Sequence, residues 1–241
     1  MICLLLNIGY KPEEIYQVLL EIDFSTLVTC DIEDILTDIH FGINSSKPFE
    51  YVIRKMMEIK NFNENTTFKE LKEKTNQILI ITGTCVNTVS LHYFSHKLTP
   101  DMKVLDAIQI SIAIPFLFKP YKYDNKIWID GGCMNNYPID LFHDNLNDMI
   151  GIYLDDENKQ YTEFDDVQVY FTQVLKCVSK GIDLSKIKLY ENQTIHVTCK
   201  NQELSNWELK NEHKIDLHNQ GYINASKFIE KNYKIIKNQS K

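Results

Sequence analysis

Residues 77–86 (QILIITGTCV) form a continuous apolar run rich in β-branched side chains, and this run constrains the fold more than any other feature. An apolar run of this length is typical of a strand that is covered on both faces. Amphipathic helical patterns lie on either side of it, at residues 48–60 and 101–113. Because short apolar strands alternate with helices, the sequence predicts a layered α/β fold with residues 77–86 as a central buried strand.

Several helix boundaries carry local signals. The apolar run 2–8 predicts the end of a buried helix, which Gly9 terminates, and Pro12 lies in the first turn of the next helix. Thr67 and Glu70 have the spacing of a capping box, in which each side chain accepts a hydrogen bond from the backbone N–H of the other residue. Further helices are predicted at residues 163–180 and 220–236.

Asp130 is predicted to lie at the end of a strand. Residues 121–130 have the pattern of a hairpin that turns at Asp124 and Asn125, two residue types that tolerate positive φ. Other strands are predicted at residues 91–96, as an alternating edge strand, at residues 149–154, as a short buried strand, and at residues 194–198.

The charge and cysteine pattern exclude several classes of protein. The chain has a formal net charge of −7 and a pI near 5.5, and Arg54 is its only arginine. Binding of nucleic acid needs a basic surface and usually arginine, so we expect no nucleic-acid partner.

The six cysteines include no C-x-x-C pair, which argues against a zinc site or a disulfide framework. We expect neither a metal nor a cofactor.

The sequence predicts no transmembrane segment, because no apolar stretch approaches the roughly 20 residues that span a bilayer. Residues 1–8 have neither the basic region nor the small-residue cleavage site of a signal peptide. Unpatterned cysteines suit a reducing compartment. We therefore expect a cytoplasmic protein that associates with membranes only at their surface.

The most informative segment for function is 101–138, which contains two motif-like elements. The first element contains Ala107, Ser111, Ala113, Ile114, Pro115, Phe118 and Pro120. The second element contains Asp130, Gly131 and Gly132, followed by Asn136 and Pro138. A lone D-G-G is weak, since it is also common in plain turns. In this order and spacing, however, the two elements resemble the second half of the patatin-like phospholipase domain.

The resemblance implies a fold and a chemistry. It implies a three-layer α/β fold with a central, mostly parallel sheet flanked by helices, and a single domain over residues 1–241. It also implies a lipid acyl hydrolase with a Ser–Asp dyad, in which Asp130 accepts the serine proton without a histidine. Gly131 and Gly132 would permit close approach of the backbone and any positive φ that the turn requires. The supporting residues at the site would be Ser111, Pro115, Asn136 and Pro138.

The nucleophile of such a dyad is not found in residues 1–241, because the sequence contains no G-x-S-x-G. The resemblance places that elbow, and a glycine-rich oxyanion loop before it, just upstream of Met1. We therefore expect an N-terminally truncated domain that is inactive alone, with Met1 close to Asp130. The candidate serines within the chain, Ser45, Ser46, Ser90, Ser95 and Ser111, lack an elbow. His143 is a weaker candidate base than Asp130.

Two classes of function follow. The first is an enzyme that hydrolyses acyl esters of a lipid substrate at a membrane or lipid-droplet surface. The second is a catalytically inactive patatin-like remnant that binds lipid or a protein partner. The coding sequence immediately upstream of Met1 distinguishes them, because an in-frame G-x-S-x-G there favours the enzyme.

Overall fold

The computed structural model describes residues 1–27, 42–146, 148–156, 162–164, 167–199 and 208–239. The helices are α1 (Ile2–Asn7), α2 (Pro12–Glu21), α3 (Lys47–Ile59), α4 (Phe68–Thr75), α5 (Val104–Ser111), α6 (Gly132–Asn135), α7 (Val167–Leu189) and α8 (Asn211–Gln239). The strands are β1 (Gly42–Asn44), β2 (Ile80–Cys85), β3 (Ser90–Ser95), β4 (Phe116–Phe118), β5 (Tyr121–Tyr123), β6 (Lys126–Asp130), β7 (Gly151–Asp156) and β8 (Thr194–Cys199). Short 3-10 segments lie at Phe24–Leu27, Pro138–Asn145 and Glu191–Gln193. The predicted α/β class is confirmed.

The pairing of the strands differs from the expected central, mostly parallel sheet. Among the described residues, the largest sheet has four strands in the order β3-β2-β6-β5, and all of its pairings are antiparallel. The pairs β1–β4 and β7–β8 are parallel. Parallel pairing is wrong for the four-stranded sheet because residues 86–89 join β2 to β3 and residues 124–125 join β5 to β6. Such short connections permit only antiparallel neighbours.

The hairpin that leads to Asp130 is confirmed. Asp124 has φ 50° and Asn125 has φ 56°, as a two-residue turn with positive φ at both positions requires. The strands on either side pair from Tyr123 and Lys126 outward, and β6 ends at Asp130. The turn therefore sets the register that delivers Asp130 to the end of its strand.

The burial of two predicted strands is only partial. β2 lies in the interior of its sheet, as predicted, but Ile80 is 36% exposed and only Gly83 to Cys85 are buried. In β7, Ile152 and Leu154 are 63% and 65% exposed, so the prediction of a buried strand is wrong there. Antiparallel or two-stranded sheets are often covered on one face only, which leaves alternate side chains in solvent.

The N-terminal helices and the capping box form as predicted, although Ile2 and Leu6 of the expected buried helix are 50% and 42% exposed. Leu4 and Leu5 of α1 are fully buried, and Gly9 terminates the helix with φ +93°. The Thr67 hydroxyl accepts from the Glu70 N–H at 3.2 Å, and the Glu70 carboxylate accepts from the Thr67 N–H at 2.9 Å. These bonds satisfy two backbone donors that have no partner within the first turn of a helix.

Two buried apolar clusters hold the described elements together. The larger includes Leu4, Leu5, Ile53, Met57, Phe68, Leu71, Phe94, Ile108, Ile110 and Trp128, and it places α5 against β2 and β6. The smaller consists of Tyr137, Ile139, Tyr153 and Tyr190, and joins the segment after α6 to β7 and the end of α7. Both clusters lie next to the D-G-G turn, which follows β6.

The two C-terminal helices begin and end differently from the sequence prediction. Helix α7 has 23 residues, begins after the predicted start at 163 and extends beyond the predicted end at 180, whereas α8 has 29 residues and extends beyond both ends of 220–236. Helix α8 packs against β8, whereas α7 packs against α6 and β4. None of the helices in the described part of the chain has both the length and the apolar composition to cross a bilayer.

We predict that Gly83→Ala in β2 destabilises the fold. A Cβ at this position would lie 2.5 Å from Ile110 Cγ2 and 2.6 Å from Phe94 Cε2, inside the larger buried cluster. Overpacking of this kind costs about 1–3 kcal/mol, measured as a lower midpoint in denaturant unfolding. The matched control is Gly181→Ala in α7, where nothing lies within 4 Å of the new Cβ and stability should rise by about 0.5–1 kcal/mol. Equal effects of the two substitutions would contradict the packing around Gly83.

Candidate active site

Asp130 is fixed at the end of β6 by backbone contacts on two sides. It is the register partner of Gly83 in β2, and its N–H donates to the Ala113 carbonyl at 3.0 Å. Ala113 belongs to the A-I-P segment that follows α5. The hydrogen bond therefore joins the two motif elements that the sequence separates by a hairpin.

The two glycines after Asp130 have different roles. Gly131 has φ −63° and ψ −24°, so the motif turns directly into α6 and neither glycine adopts a positive φ. A Cβ on Gly131 would overlap the Thr82 side chain and lie 2.6 Å from the Thr82 carbonyl carbon, so only glycine allows this close approach. Around Gly132 there is more space, since the nearest atom to an added Cβ is Asn136 Oδ1 at 3.1 Å. The expectation of close approach is therefore met at Gly131.

The other predicted site residues lie on the segments that surround this turn. Ser111 ends α5 and Pro115 precedes β4, so these two residues flank Ala113. Pro138 begins the 3-10 segment after α6. Asn136 follows α6 and donates from Nδ2 to Asp183 Oδ2 at 2.9 Å. The structure thus places Ala113 and Asn136 beside the turn that begins at Asp130.

Helix α7 supplies contacts that the sequence analysis did not predict. Asp183 is fully buried against the turn, and Lys186 donates to Asn135 Oδ1 at 2.7 Å. The nitrogen of the same amide, Asn135 Nδ2, donates to the Tyr93 hydroxyl at 3.2 Å. Neither Asp183 nor Lys186 belongs to a recognisable motif. The only signal is that an aspartate and a lysine stand one turn apart in the helix.

The electrostatic setting of Asp130 suits a proton acceptor. Burial raises the pKa of Asp130 to about 6, although the Gly132 N–H, which donates to Oδ1 at 2.9 Å, and the Met1 α-amino group both act to lower it. The Met1 amino group and the Asp130 carboxyl interact electrostatically, in agreement with the expectation that Met1 lies close to Asp130. Burial, followed by the nearby Asp130 charge, raises the pKa of the adjacent Cys133 thiol to about 12. Cys133 is therefore a weak nucleophile at neutral pH.

The alternative catalytic residues have other contacts. His143 is exposed, and its ring nitrogens lie 2.9 Å from the Asp140 carbonyl and 3.0 Å from Asp144 Oδ1. Ser90 Oγ lies 3.0 Å from His92 Nε2 and 2.6 Å from Thr88 Oγ1. Ser90 stands on a regular edge strand, however, and not on a strand-to-helix elbow. Asp130 remains the candidate base with the most suitable environment.

We predict that Asp130→Asn removes a pH dependence of stability. Because the pKa of Asp130 in the folded chain is about 6, above its ordinary value of 3.8, the folded state binds this proton more tightly than the unfolded state. That contribution is fully present below pH 3.8 and is lost as the pH rises through 6. Relative to wild type, the Asn variant should therefore gain stability between pH 4 and pH 7, by up to about 3 kcal/mol.

Denaturant unfolding at several pH values measures this difference. The control is Asp124→Asn at the exposed turn of the β5–β6 hairpin, which keeps a residue that tolerates positive φ. A stability difference between Asp130→Asn and wild type that stays constant from pH 4 to pH 7 would show that Asp130 titrates normally.

Comparisons with known proteins identify a family. A family model described as patatin-like phospholipase matches residues 1–143. The chain is 37% identical over 153 residues to "Probable lipid hydrolase 463L" of Invertebrate iridescent virus 6, and the alignment covers 61% of this chain and 52% of that protein. It is 32% identical over 160 residues to "Uncharacterized protein R571" of Acanthamoeba polyphaga mimivirus, with 66% and 52% covered.

The chain spans about half the length of these curated relatives. A solved structure, that of VipD from Legionella pneumophila, superposes on 90% of this chain and 45% of its own with a TM-score of 0.48 and 18% identity. The family match covers more than half of the 241 residues and includes the A-I-P and D-G-G segments joined at Asp130. The chain therefore belongs to the patatin-like phospholipase family.

Proposed function

We propose that this chain is the base-bearing part of a lipid acyl hydrolase, with Asp130 as the proton acceptor of a Ser–Asp dyad. The observation that carries the proposal is the setting of Asp130, a carboxylate at a strand end whose pKa is raised to about 6 by burial. A general base works best when its pKa lies near the working pH. The family and the name of the viral relative support the lipid class of substrate.

In the proposed reaction, the serine oxygen attacks the ester carbonyl while its proton passes to Asp130. Collapse of the tetrahedral intermediate breaks the ester C–O bond, and Asp130 returns the proton to the departing alcohol. Water then attacks the acyl-enzyme by the same route and releases the fatty acid. Residues 1–241 contain no G-x-S-x-G, so the proposal requires a serine from outside these residues, next to the start of α1.

An exposed apolar surface beside the turn supports a lipid substrate at a membrane or lipid-droplet surface. The solvent-facing side of α7 carries Val167, Phe171, Val174, Val178 and Ile182, all at least 37% exposed. These positions repeat at helical spacing and include no charge. Such a face is costly in water and favourable at the boundary of a bilayer.

This apolar face of α7 is continuous with the motif segment. The Phe171 ring stacks on Phe116 with 4.4 Å between ring centroids, and Phe116 directly follows the A-I-P residues. Two lysines of α7 make ion pairs with residues outside this face, since Lys180 binds Asp155 at 2.9 Å and Lys186 binds Asp140 at 2.7 Å. A lipid surface that contacts this face would lie next to Phe116, three residues after Ala113, whose carbonyl accepts from the Asp130 N–H.

The second candidate function is a non-catalytic protein that binds lipid or a protein partner through the same face. Because residues 1–241 contain no G-x-S-x-G, these residues alone fit the non-catalytic function better. The two candidates differ in whether a serine is ever placed next to Asp130, and not in the binding surface.

We predict that a longer chain, with a strand and a G-x-S-x-G elbow placed before Met1 by the in-frame upstream coding sequence, hydrolyses a fatty acyl ester. A fluorophosphonate probe should label the elbow serine there and should not label residues 1–241 alone. Asp130→Asn should lower kcat by at least roughly 100-fold, because the amide cannot accept a proton. Asp124→Asn, a control on the same hairpin, should keep activity. Turnover by Asp130→Asn near the wild-type rate would show that another group is the base.

We also predict that residues 1–241 bind neutral phosphatidylcholine vesicles through α7. The double substitution Val174→Glu and Val178→Glu should weaken binding in a flotation assay by at least roughly tenfold, because each buried valine contributes about 1.5–3 kcal/mol. Lys69→Glu in α4 is the matched control, since it changes the net charge by the same two units on an exposed polar surface. Equal binding by the control and the double variant would remove α7 as the lipid-binding face.

A further inference from the structure

The short helix α6, which follows Asp130, is too short to be stable without contacts from other elements. Helix α6 has four residues, and its backbone bonds in the turn are those from Met134 and Asn135 to the Gly131 carbonyl, at 3.1 and 2.9 Å. Isolated helices much shorter than about 12 residues are unstable in water. The Gly132 N–H that contacts Asp130 lies in this short helix, so side chains from other elements must fix it.

Helix α7 provides two of these side chains, one turn apart. Asp183 is 0% exposed, and its Oδ2 accepts from Asn136 Nδ2 at 2.9 Å. Lys186 donates to Asn135 Oδ1 and to Asp140 Oδ1, both at 2.7 Å. Together these bonds hold the end of α6 and the residues that follow it.

Asp183 is the more unusual of the two groups. Its second oxygen, Oδ1, is buried without a hydrogen-bond partner among the described residues. Burying a carboxylate with incomplete hydrogen bonding opposes folding, and an apolar residue of similar size would pack at lower cost. A residue that is unfavourable for packing is best explained by the contact that it does make, which is with Asn136.

The bond to Asp183 also determines which way the Asn136 amide points. A carboxylate only accepts hydrogen bonds, so the amide nitrogen faces Asp183 and the amide oxygen faces the turn. A Cβ built on Gly132 would lie 3.1 Å from Asn136 Oδ1 and 3.5 Å from Asp130 Oδ1. The Asn136 amide and the Asp130 carboxylate therefore border the same glycine.

We propose that Asp183 is a positioning residue: through Asn136 it holds the turn that follows Asp130, and with it the Gly132 N–H that donates to the Asp130 carboxylate. The expected effect of Asp183 on catalysis rests on the proposed function, because there Asp130 is the base. The expected effect of Asp183 on the position of the turn does not depend on activity. The family match ends at residue 143, so a helix outside the matched region completes the site.

The decisive comparison is between Asp183→Asn and Asp183→Leu. Both substitutions remove the negative charge, but only asparagine keeps an oxygen that can accept from Asn136. If the bond to Asn136 positions the turn, Asp183→Asn should behave like wild type and Asp183→Leu should loosen α6. If burial of a side chain is all that matters, the two variants should behave alike, and the proposal is wrong.

Cys133 reports on the turn directly because it lies within α6. Its alkylation by iodoacetamide, followed by mass spectrometry of the peptide, should be at least roughly tenfold faster in Asp183→Leu than in wild type or Asp183→Asn. Cys85 in β2 is fully buried and serves as the internal reference for global unfolding. Ser185→Ala is the control on α7, because the Ser185 hydroxyl is exposed and bonds to the Ile182 carbonyl of its own helix.

If Asp183→Leu also exposes Cys85, that variant is globally destabilised and a second variant is needed. Asn136→Ala breaks the same bond from an exposed position, and it should speed alkylation of Cys133 while Cys85 stays protected. Unchanged labelling of Cys133 in Asn136→Ala would overturn the proposal.

In the longer, serine-containing chain, Asp183→Leu should lower kcat with little change in KM. Asp183→Asn should keep kcat near the wild-type value. If Cys133 responds as expected but the longer chain with wild-type Asp183 does not hydrolyse esters, the proposed function fails and the positioning role stands. If the longer chain is active and Asp183→Leu leaves kcat unchanged, the positioning role fails and the proposed function stands.

Discussion

The hydrogen bond from the Asp130 N–H to the Ala113 carbonyl is the contact on which the geometry of the site depends. It ties the end of β6 to the link between α5 and β4, while α5 itself packs against β2 and β6. Gly131 makes this arrangement possible, because any side chain there would overlap Thr82. At this strand end the Asp130 carboxyl is partly buried, and burial raises its pKa to about 6, towards the range in which a base is useful.

The parts of the fold that were predicted from sequence are those determined by short-range interactions. The capping box at Thr67 and Glu70 and the turn at Asp124 and Asn125 each depend on residues within four positions of one another. The location of Asp130 at a strand end follows from that turn. Strand pairing was predicted less well, because the family resemblance suggested a parallel sheet while the short connections in this chain impose antiparallel neighbours.

The parts of the site that were not predicted depend on contacts between residues far apart in sequence. Asn136 and Asp183 are separated by 47 positions, and Asn135 and Lys186 by 51. Periodicity places Asp183 and Lys186 on one side of a helix, but nothing in the pattern says what that side contacts. The D-G-G motif likewise allowed a positive φ at its glycines, and only the structure shows that Gly131 is needed for space and not for its backbone angle.

Helix α7 has an unusual distribution of polarity, and this explains how it can fix the turn. Its outer face is apolar, whereas its inner face presents Asp183 and Lys186 to the residues after Gly132. An apolar inner face would tolerate several rotations of the helix about its axis, because hydrophobic contact is not directional. A buried carboxylate tolerates only the rotation in which its hydrogen bond forms. We infer that the buried Asp183 lowers the stability of the fold but fixes α6 in one position. A base that must lie within about 3 Å of a serine oxygen requires a fixed position of this kind.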